Sequence, residues 1–321
     1  MKVLSLFDGI SCGQEALTRA GVNVESYLSS EIDKYAIQIT QKNYPNTIQL
    51  GDIRKVRKMI ENNIISDIDL LLGGSPCQGF SFAGKGLAFD DPRSALFFEY
   101  VKILKLLQSK NPNLKFLLEN VRMKKEYLDA ITKMLGVEPH FINSALVSAQ
   151  NRQRYYWYNW EANDPEDRDV LLKDILERGI VDRDKSYCID ANYWKGTNVE
   201  QYLKKKRRQI VFTERRTEEG KQIRKEYRKK YGIDFSPRRS KELVARRDGK
   251  MNCLTACYSM KEHTLIDEKL NYRKLTPIEC ERLQTLPDNY TEGVSNTQRY
   301  KMLGNGWTVD VIVHLLRSLK I

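Results

Sequence analysis

The stretch KVLSLFDGISCG, residues 2–13, decides the fold. Its first six residues form a short apolar run that is typical of a buried strand, and Gly9 and Gly13 follow. Glycine lets a backbone pass close to a ligand at the carboxyl end of a strand. The acidic Asp8 comes directly after the run, so the stretch does not resemble a signal peptide. It predicts the first strand and the first ligand-binding turn of an α/β domain.

The first 150 residues or so alternate short apolar runs with segments of helical spacing. Strand, helix, strand, helix is typical of a parallel sheet that helices cover on both faces. A pair of strands is expected to close this part. The predicted strands are residues 2–7, 25–30, 69–72, 115–118, 141–147 and 154–160, and the predicted helices are residues 14–20, 36–43, 95–107 and 125–135.

The chain changes character at about residue 178, where it becomes basic and irregular until about residue 267. Regular patterns return at Arg273, and a last helix is predicted over residues 309–319. These shifts predict a catalytic and cofactor-binding domain of residues 1–178 plus 297–321. A smaller basic domain of residues 179–296 interrupts it.

Charge is concentrated in one part of the 321-residue chain. Residues 201–250 hold 19 Lys and Arg against 7 Asp and Glu, which accounts for the whole formal net charge of +12. Such asymmetry predicts a surface for a polyanion, although a solvated, salt-bridged helix over residues 219–231 is the alternative. No apolar run approaches the roughly 20 residues of a membrane helix, so we expect no membrane association. We expect a cytoplasmic protein with reduced cysteines.

Three acidic or glycine-rich points follow successive predicted strands. The Phe7–Gly13 turn follows the first, Glu31 ends the second, and Asp52 stands where a third would end. Carboxylates in such positions usually accept hydrogen bonds from ribose hydroxyls, so the set predicts a nucleoside pocket. No GxGxxG run accompanies it, which argues against a dinucleotide.

A second group of reactive side chains follows the next strands. Cys77 stands in GGSPCQGFS, residues 73–81, where the Gly-Gly and Pro-Cys context favours a thiol that is presented outward. Glu119 comes just past another strand, at the same edge of the sheet, and is a candidate acid. Farther along, QNRQR (150–154) predicts that Gln150, Arg152 and Arg154 share one face of a strand, where the two arginines can bind phosphate or an oxygen-bearing base.

In this order, FDGxxxG, SPCQGFS, ENV and QxRxR resemble the motifs of the cytosine-5 DNA methyltransferases. Residues 273–287, RKLTPIECERLQTLP, resemble the family's ninth motif, and residues 303–309, LGNGWTV, resemble its tenth. The resemblance covers nearly the whole chain except the basic region. Family members usually have Gly-Asn-Ser in the tenth motif. Gly306-Trp307 departs from that pattern and is more similar to the mammalian de novo branch, within an otherwise prokaryotic or phage single-chain layout.

The resemblance implies a Rossmann-like mixed sheet flanked by helices, the fold of S-adenosylmethionine-dependent methyltransferases. It implies methyl transfer to carbon 5 of a cytosine that has left a specific sequence of duplex DNA, with S-adenosylhomocysteine as the product. Cys77 would attack carbon 6, Glu119 would hold N3, Arg154 would donate to O2, and Arg152 would support the loop or the cysteine. The implied cofactor residues are Phe7, Asp8, Gly9, Ile10, Ser11, Gly13, Glu31, Ile32, Asp52, Ile53, Pro76, Leu96, Asn305, Gly306 and Trp307.

DNA contacts are expected from the active-site loop and from the basic region, which would be the target recognition domain. The expected residues are Gln78, Ser81, Gln150, Lys204, Lys205, Lys206, Arg207 and Arg208. The five consecutive cations of the basic region would meet phosphates, which position a protein without reading the sequence. We expect a monomer without a metal. A companion restriction endonuclease is a further possible partner.

Four alternatives remain open at the level of sequence. The chain could methylate cytosine in RNA, although the Cys-Phe-Thr signature of the tRNA-methylating branch is absent. It could be a catalytically silent DNA-binding module, although Cys77, Glu119 and Arg154 are all present. It could be an unrelated S-adenosylmethionine-binding protein. Cys253 and Cys257, with His263 nearby, could hold zinc, although a zinc site would need further close ligands.

Overall fold

The computed structural model describes residues 1–75, 94–213, 215–216, 218–232, 241–242 and 271–319. Pro76, Cys77, Gln78 and Ser81, which carry part of the predicted site, lie outside these ranges. The same holds for Cys253, Cys257 and His263 of the zinc alternative.

The main sheet has seven strands in the order β3-β2-β1-β4-β5-β8-β6. Neighbouring strands from β3 to β5 are parallel, while β8 is antiparallel to both β5 and β6. This mixed sheet confirms the predicted fold class. Its strands are β1 (Lys2–Leu6), β2 (Ser26–Ser30), β3 (Ile48–Gln49), β4 (Leu70–Gly73), β5 (Lys115–Val121), β6 (His140–Asn143) and β8 (Gln153–Tyr158).

Alternating side chains of the sheet enter two separate apolar cores. Val3, Leu72 and Leu117 lie in one core, and Leu4 and Leu118 lie in the other. The helices that cover the faces begin and end close to the predicted bounds, but α3 was not predicted. They are α1 (Cys12–Ala20), α2 (Lys34–Asn43), α3 (Ile53–Glu61), α4 (Ser94–Lys110), α5 (Lys125–Leu135) and α10 (Val309–Arg317).

Most of the remaining elements are short. Leu275, Leu283 and Tyr290 pack in the same core as Val3, whereas Tyr202 and Phe212 belong to a small separate cluster. The predicted division into two domains remains a prediction. The elements are β7 (Gln150–Asn151), β9 (Ser186–Tyr187), α6 (Val199–Lys205), β10 (Ile210–Thr213), β11 (Arg215–Arg216), α7 (Glu218–Tyr231), β12 (Lys241–Glu242), β13 (Asn271–Lys274), α8 (Pro277–Leu283) and α9 (Asn296–Asn305).

The strand predicted over residues 141–147 is shorter than expected. It ends at Asn143, because the Asn143 side chain accepts from the amide of Ala145 and starts a 3-10 turn over Ser144–Leu146. The same carboxamide oxygen accepts from the amide of Arg152 at 3.0 Å, which interrupts the next strand. Gln150 therefore lies in β7, paired with β9, and Arg154 lies in β8, paired with β5. The prediction that Gln150, Arg152 and Arg154 lie on one continuous strand was wrong.

The C-terminal helix α10 returns to the beginning of the chain and packs against α1. Arg19 of α1 forms an ion pair with Asp310 of α10, and Arg168 pairs with the other oxygen of the same carboxylate. Among the helices of the described ranges, none has the length and apolar character that a membrane span requires.

Candidate active site

A cavity of about 570 Å³ opens at the carboxyl edge of the sheet, where β1, β2, β4 and β5 end. Its volume is within the range of small-molecule sites. Most of the predicted site residues in the described ranges line it. These are Phe7, Asp8, Gly9, Glu31, Ile32, Asp52, Ile53, Leu96, Glu119, Arg152, Arg154, Asn305, Gly306 and Trp307.

The turn after β1 bends sharply, with positive φ at Phe7, Gly9 and Ser11. Such angles are unfavourable for non-glycine residues and persist only where the surroundings enforce them. Here the amides of Phe7 and Asp8 both donate to the Ser30 carbonyl, and the amide of Gly9 donates to Glu31 at 2.8 Å. The turn is thus fastened to the end of β2.

The Asp8 carboxylate accepts hydrogen bonds from three hydroxyl groups, those of Ser11, Tyr27 (2.6 Å) and Ser29 (2.9 Å). Burial raises the pKa of Asp8 above its ordinary value, and these hydroxyl groups lower it in part. These hydrogen bonds hold the Asp8 carboxylate in place at the cavity.

Glu31 and Ile32 form one side of the cavity. Glu31 accepts from Gly9 through Oε2 and from the amides of Ile32 and Asp33 through Oε1, so Oε2 keeps an acceptor position for a ligand hydroxyl. The side chain of Ile32 is 74% exposed, which is unusual for a large apolar residue beside a cavity. A carboxylate and an apolar surface together suit a ribose and a flat base.

Asp52 lines the cavity and also stabilises the start of α3. It caps α3 by accepting from the amide of Arg54, and it pairs with the Arg54 side chain (Nε–Oδ2 2.9 Å). The hydrogen bond from Arg54 lowers the pKa of Asp52 to about 2. Ile53 is the first residue of this helix and is buried.

Three predicted cofactor residues, Ile10, Ser11 and Gly13, do not line the cavity. Ile10 and Ser11 are buried beneath its floor. A Cβ at Gly13 would lie 2.9 Å from Leu72 and 3.5 Å from the Trp307 ring, so glycine here lets α1 approach the sheet. Phe7, Asp8, Gly9 and Cys12 line the cavity, and cofactor contact by Ile10, Ser11 and Gly13 stays a prediction.

Glu119 and Arg154 form an ion pair across β5 and β8, with 2.7 Å between Arg154 Nε and Glu119 Oε1. Their side chains are only 11% and 13% exposed, and both line the cavity. At the end of β4, a Cβ on Gly74 would lie 2.8 Å from the Trp307 indole nitrogen and 3.4 Å from Glu119 Oε2. Glycine at this position therefore allows the carboxylate and the indole to converge.

Arg152 and Gln150 both make buried hydrogen bonds to backbone carbonyls. Arg152 Nη2 donates to the carbonyls of Gly304 (3.3 Å) and Gly306 (2.8 Å), and Nη1 donates to Ile189 and Cys188. It is almost fully buried and holds backbone in place. Gln150 is fully buried and donates to Leu283 and Gln284, so in this structure it is not accessible to DNA.

The profile of the family described as "C-5 cytosine-specific DNA methylase" matches residues 1–321, the entire chain. The chain belongs to this family. That membership confirms the resemblance drawn from the sequence and makes the protein a DNA cytosine-C5 methyltransferase.

Individual relatives of this methylase come from bacteria and phages. It is 33% identical over 339 residues to the type II methyltransferase M1.ScrFI of Lactococcus lactis subsp. cremoris, covering 97% of this chain and 76% of that one. It is 30% identical to the type II methyltransferase M.NlaX of Neisseria lactamica, covering 99% and 96%. It is 26% identical to the orphan methyltransferase M.SPRI of Bacillus phage SPR, covering 99% and 97%.

Solved structures show the same fold at lower identity. The methyltransferase EhMeth of Entamoeba histolytica aligns with a TM-score of 0.65 at 16% identity, covering 99% of this chain and 97% of that one. Dnmt2 of S. pombe aligns with a TM-score of 0.62 at 16% identity, covering 98% and 97%. The architecture of the methylase is therefore shared over its full length.

Three residues of the methylase site have no predicted role in the sequence. Asn120 donates to Ser75 at 3.1 Å and so ties the end of β5 to the residue before Pro76. Lys301 lines the cavity and pairs with Asp33 at 2.7 Å. Its only sequence signal is its position four residues before Asn305 in α9, which places both on one helix face. Gln284 is the third, in the ninth motif.

The basic stretch Lys204–Arg208 begins in the last turn of α6 and continues toward β10. Its first four side chains are exposed, and Arg208 donates to the Gly196 carbonyl at 2.8 Å. Across the parts of the chain that the structure describes, no group of three or more His, Cys, Asp or Glu is arranged to hold a metal ion.

Proposed function

We propose that this methylase transfers a methyl group from S-adenosylmethionine to carbon 5 of a cytosine in duplex DNA, through a transient bond between Cys77 and carbon 6. The observation that carries this proposal is the Glu119–Arg154 pair at the cavity wall, beside Gly74 and Ser75. Cys77 follows two residues after Ser75 and lies outside the described residues.

The chemistry begins with carbon 5 of cytosine, which is a poor nucleophile. Attack of the Cys77 thiolate on carbon 6 moves the electrons of the 5,6 double bond toward carbon 5. Glu119 donates a proton to N3 as this happens, and Arg154 donates a hydrogen bond to O2, so negative charge does not build up on the ring. Carbon 5 then takes the methyl group, which leaves S-adenosylhomocysteine. A base removes the carbon 5 proton, the thiolate leaves, the 5,6 double bond is restored, and N3 returns its proton to Glu119.

The cavity suits the cofactor in charge as well as in shape. Its described lining has five carboxylate and four cationic side chains, a formal balance of one negative charge. S-adenosylmethionine carries a net positive charge and supplies an electrophilic methyl on its sulfonium. Glu31 would accept from the ribose hydroxyls, Ile32 would cover the base, and Asn305 to Trp307 would form the opposite wall.

The base must leave the helix to reach this cavity, at a cost of a few kcal/mol. The exposed cations Lys204, Lys205, Lys206 and Arg207 would contact DNA phosphates, as would Arg208, and Gln78 and Ser81 would contact DNA near the flipped base. We further propose a monomer that acts in the cytoplasm of a bacterium or a phage-infected cell. A companion restriction endonuclease is consistent with the type II names of several relatives.

The deciding experiment is methyl transfer from tritiated cofactor to duplex DNA and, in parallel, to tRNA. Mass spectrometry of the digested product and bisulfite sequencing of plasmid DNA then identify 5-methylcytosine and its target sequence. We expect label in DNA only; label in tRNA alone would favour the RNA alternative.

Cys77→Ser tests the covalent step. We expect this variant to lose methyl transfer and to keep DNA binding, since serine is a much weaker nucleophile. Cys253→Ser is the matched control and should keep activity. Wild-type turnover by the Cys77 variant would refute the proposed nucleophile.

A further inference from the structure

A buried hydrogen-bond network centred on Gln284 joins the segment of Gln150 and Arg152 to the cavity wall formed by Asn305–Trp307. Gln284 follows α8 and is fully buried. Its Nε2 donates to the carbonyls of Leu303 (2.6 Å) and Gly306 (3.1 Å). Its Oε1 accepts from Gln150 (2.9 Å) and from the Thr308 hydroxyl (2.9 Å). The two N–H groups and both acceptor positions of this amide are therefore occupied.

The partners of Gln284 lie on both sides of the Asn305–Trp307 wall. Leu303 and Gly306 precede Trp307, and Thr308 follows it. The backbone carbonyl of Gln284 also accepts from the Val309 amide at 2.9 Å, at the start of α10. One residue thus fixes the path of the chain from the end of α9 to the beginning of α10.

Arg152, which lies between β7 and β8, contributes to the same network. Its Nη2 donates to the Gly306 carbonyl, so this one oxygen accepts from both Arg152 and Gln284. Arg154 of the ion pair with Glu119 is two residues further along. The Asn305–Trp307 wall is consequently held in a fixed position relative to the Glu119–Arg154 ion pair.

The Trp307 ring has little freedom of its own. It lies between Gly13 and Gly74, where an added Cβ would approach it to 3.5 Å and 2.8 Å. A shift of the Gly306 carbonyl would move the ring in this narrow space, and the cavity beside Glu119 would change shape.

We propose that Gln284 is a positioning residue, which holds the Asn305–Trp307 wall in register with Arg152 and so sets the affinity for the cofactor. This inference rests on the proposed use of S-adenosylmethionine. Glutamine suits the task because glutamate would lack the two N–H donors and leucine would lack all four bonds. A buried amide with partly unmet hydrogen bonds is costly, so the wall would move to restore them.

The test compares Gln284→Leu with Gln209→Leu. Gln209 is an equally buried glutamine that bonds to Asp182, Tyr202 and Ile210 near the separate small cluster. Binding of S-adenosylhomocysteine is measured by calorimetry without DNA. We expect Gln284→Leu to weaken it by about tenfold, the size of one to two hydrogen bonds. The Gln209 variant should stay within about twofold of wild type.

A spectroscopic signal separates positioning from general destabilisation. With 5-fluorotryptophan incorporated, the Trp307 resonance is assigned by its absence in Trp307→Phe. We expect this resonance to shift in Gln284→Leu and not in Gln209→Leu. Unchanged affinity together with an unmoved resonance in Gln284→Leu would overturn the inference. A wild-type protein that does not bind S-adenosylhomocysteine would instead overturn the proposed function.

A milder variant is available in case Gln284→Leu does not fold. Thr308→Val removes one of the four hydrogen bonds and keeps the shape of the side chain. We expect a two- to threefold loss of affinity, on the order of one hydrogen bond, and a smaller shift of the Trp307 resonance. If neither changes, the network does not position the wall.

Discussion

At the scale of single residues, Glu119 and Arg154 are the two groups on which the proposed chemistry depends most directly. The ion pair uses Glu119 Oε1 and Arg154 Nε, and both side chains are largely buried at the cavity wall. The other carboxylate oxygen, Oε2, is the one near Gly74 and the indole of Trp307. It is therefore the oxygen nearest to where a ring must enter.

Replacing Glu119 with glutamine keeps the shape of the side chain and removes its acid. We expect turnover to fall at least about 100-fold, the usual contribution of a positioned acid. The affinity for S-adenosylhomocysteine should stay within about twofold, since Glu31 and Ile32, and not Glu119, contact the adenosyl moiety in our proposal. Glu126→Gln on the exposed face of α5 is the control, measured in the same methyl-transfer assay. A Glu119 variant with near-normal turnover would show that another group protonates N3.

Cys188 differs from the other described thiols. Burial raises its pKa, but the charges and hydrogen bonds of Arg152 and Arg154 outweigh that effect, and the net pKa lies below the ordinary value. Burial raises the pKa of Cys12 to about 12 and that of Cys280 well above normal.

We therefore expect Cys188 to react with iodoacetamide faster than Cys12 or Cys280 at neutral pH. Only a thiolate reacts, and a lowered pKa keeps more of the thiolate as the pH falls. Peptide mass spectrometry over a series of pH values measures the rates. Equal rates at the three cysteines would contradict the assignment, and so would a half-point for Cys188 above that of an ordinary thiol.

At the scale of elements, α9 approaches the 190–191 segment so closely that there is no space for a side chain. A Cβ on Gly304 would lie 2.1 Å from the carbonyl carbon of Asp190 and 2.3 Å from the amide nitrogen of Ala191. Both are backbone atoms, so relief requires one of the two segments to move.

Gly304→Ala should lower the free energy of unfolding by about 3 kcal/mol, at the upper end of overpacking effects. Thermal or urea unfolding measures the change. Gly220→Ala in the first turn of α7 is the control, because alanine is favoured over glycine in a helix by up to about 1 kcal/mol. A Gly304 variant as stable as wild type would mean that α9 is less tightly seated than the structure indicates.

The elements also show how far the sequence could predict this molecule. The alternation of β1, β2, β4 and β5 with α1, α2, α4 and α5 was predictable, because buried parallel strands and amphipathic helices have distinct local periodicities, whereas α3 was not predicted. The break at Arg152 was not, since it depends on the Asn143 side chain, nine residues away. The alternation rule assumed a continuous strand and therefore placed Gln150 on one face with Arg152 and Arg154, whereas the structure has Gln150 in a separate strand with its amide buried.

The same limit applies to the candidate site. Glu31, Glu119, Arg154 and Trp307 were predicted as cavity residues because each stands in a local motif at a strand or helix end. Gln284 lies in an equally visible motif, but its role depends on partners at positions 150, 303, 306 and 308. Contacts between distant segments leave no periodic signal in a single sequence.

At the scale of the whole molecule, the net charge of +12 equals the excess within residues 201–250. The remaining residues are balanced, so attraction to DNA should come from one region. The exposed side chains of Lys204 to Arg207 lie within this region, at the end of α6.

Replacing Lys204, Lys205, Lys206 and Arg207 with glutamine should reduce the salt dependence of DNA binding. Each lost phosphate contact lowers the slope of log K against log salt by about 0.9. Fluorescence anisotropy with duplex DNA at several salt concentrations measures it. Neutralising four exposed lysines elsewhere, Lys55, Lys105, Lys110 and Lys125, provides the control. An unchanged slope would remove this stretch from the interface.

The packing of α10 on α1 has a consequence for synthesis. The helix that covers α1 is translated long after it, and Trp307 emerges only shortly before that helix. Until α10 has left the ribosome, the apolar face of α1 stays uncovered and the proposed methyl-donor pocket has one side missing. We therefore expect a nascent chain that has not yet released α10 to be unable to methylate DNA.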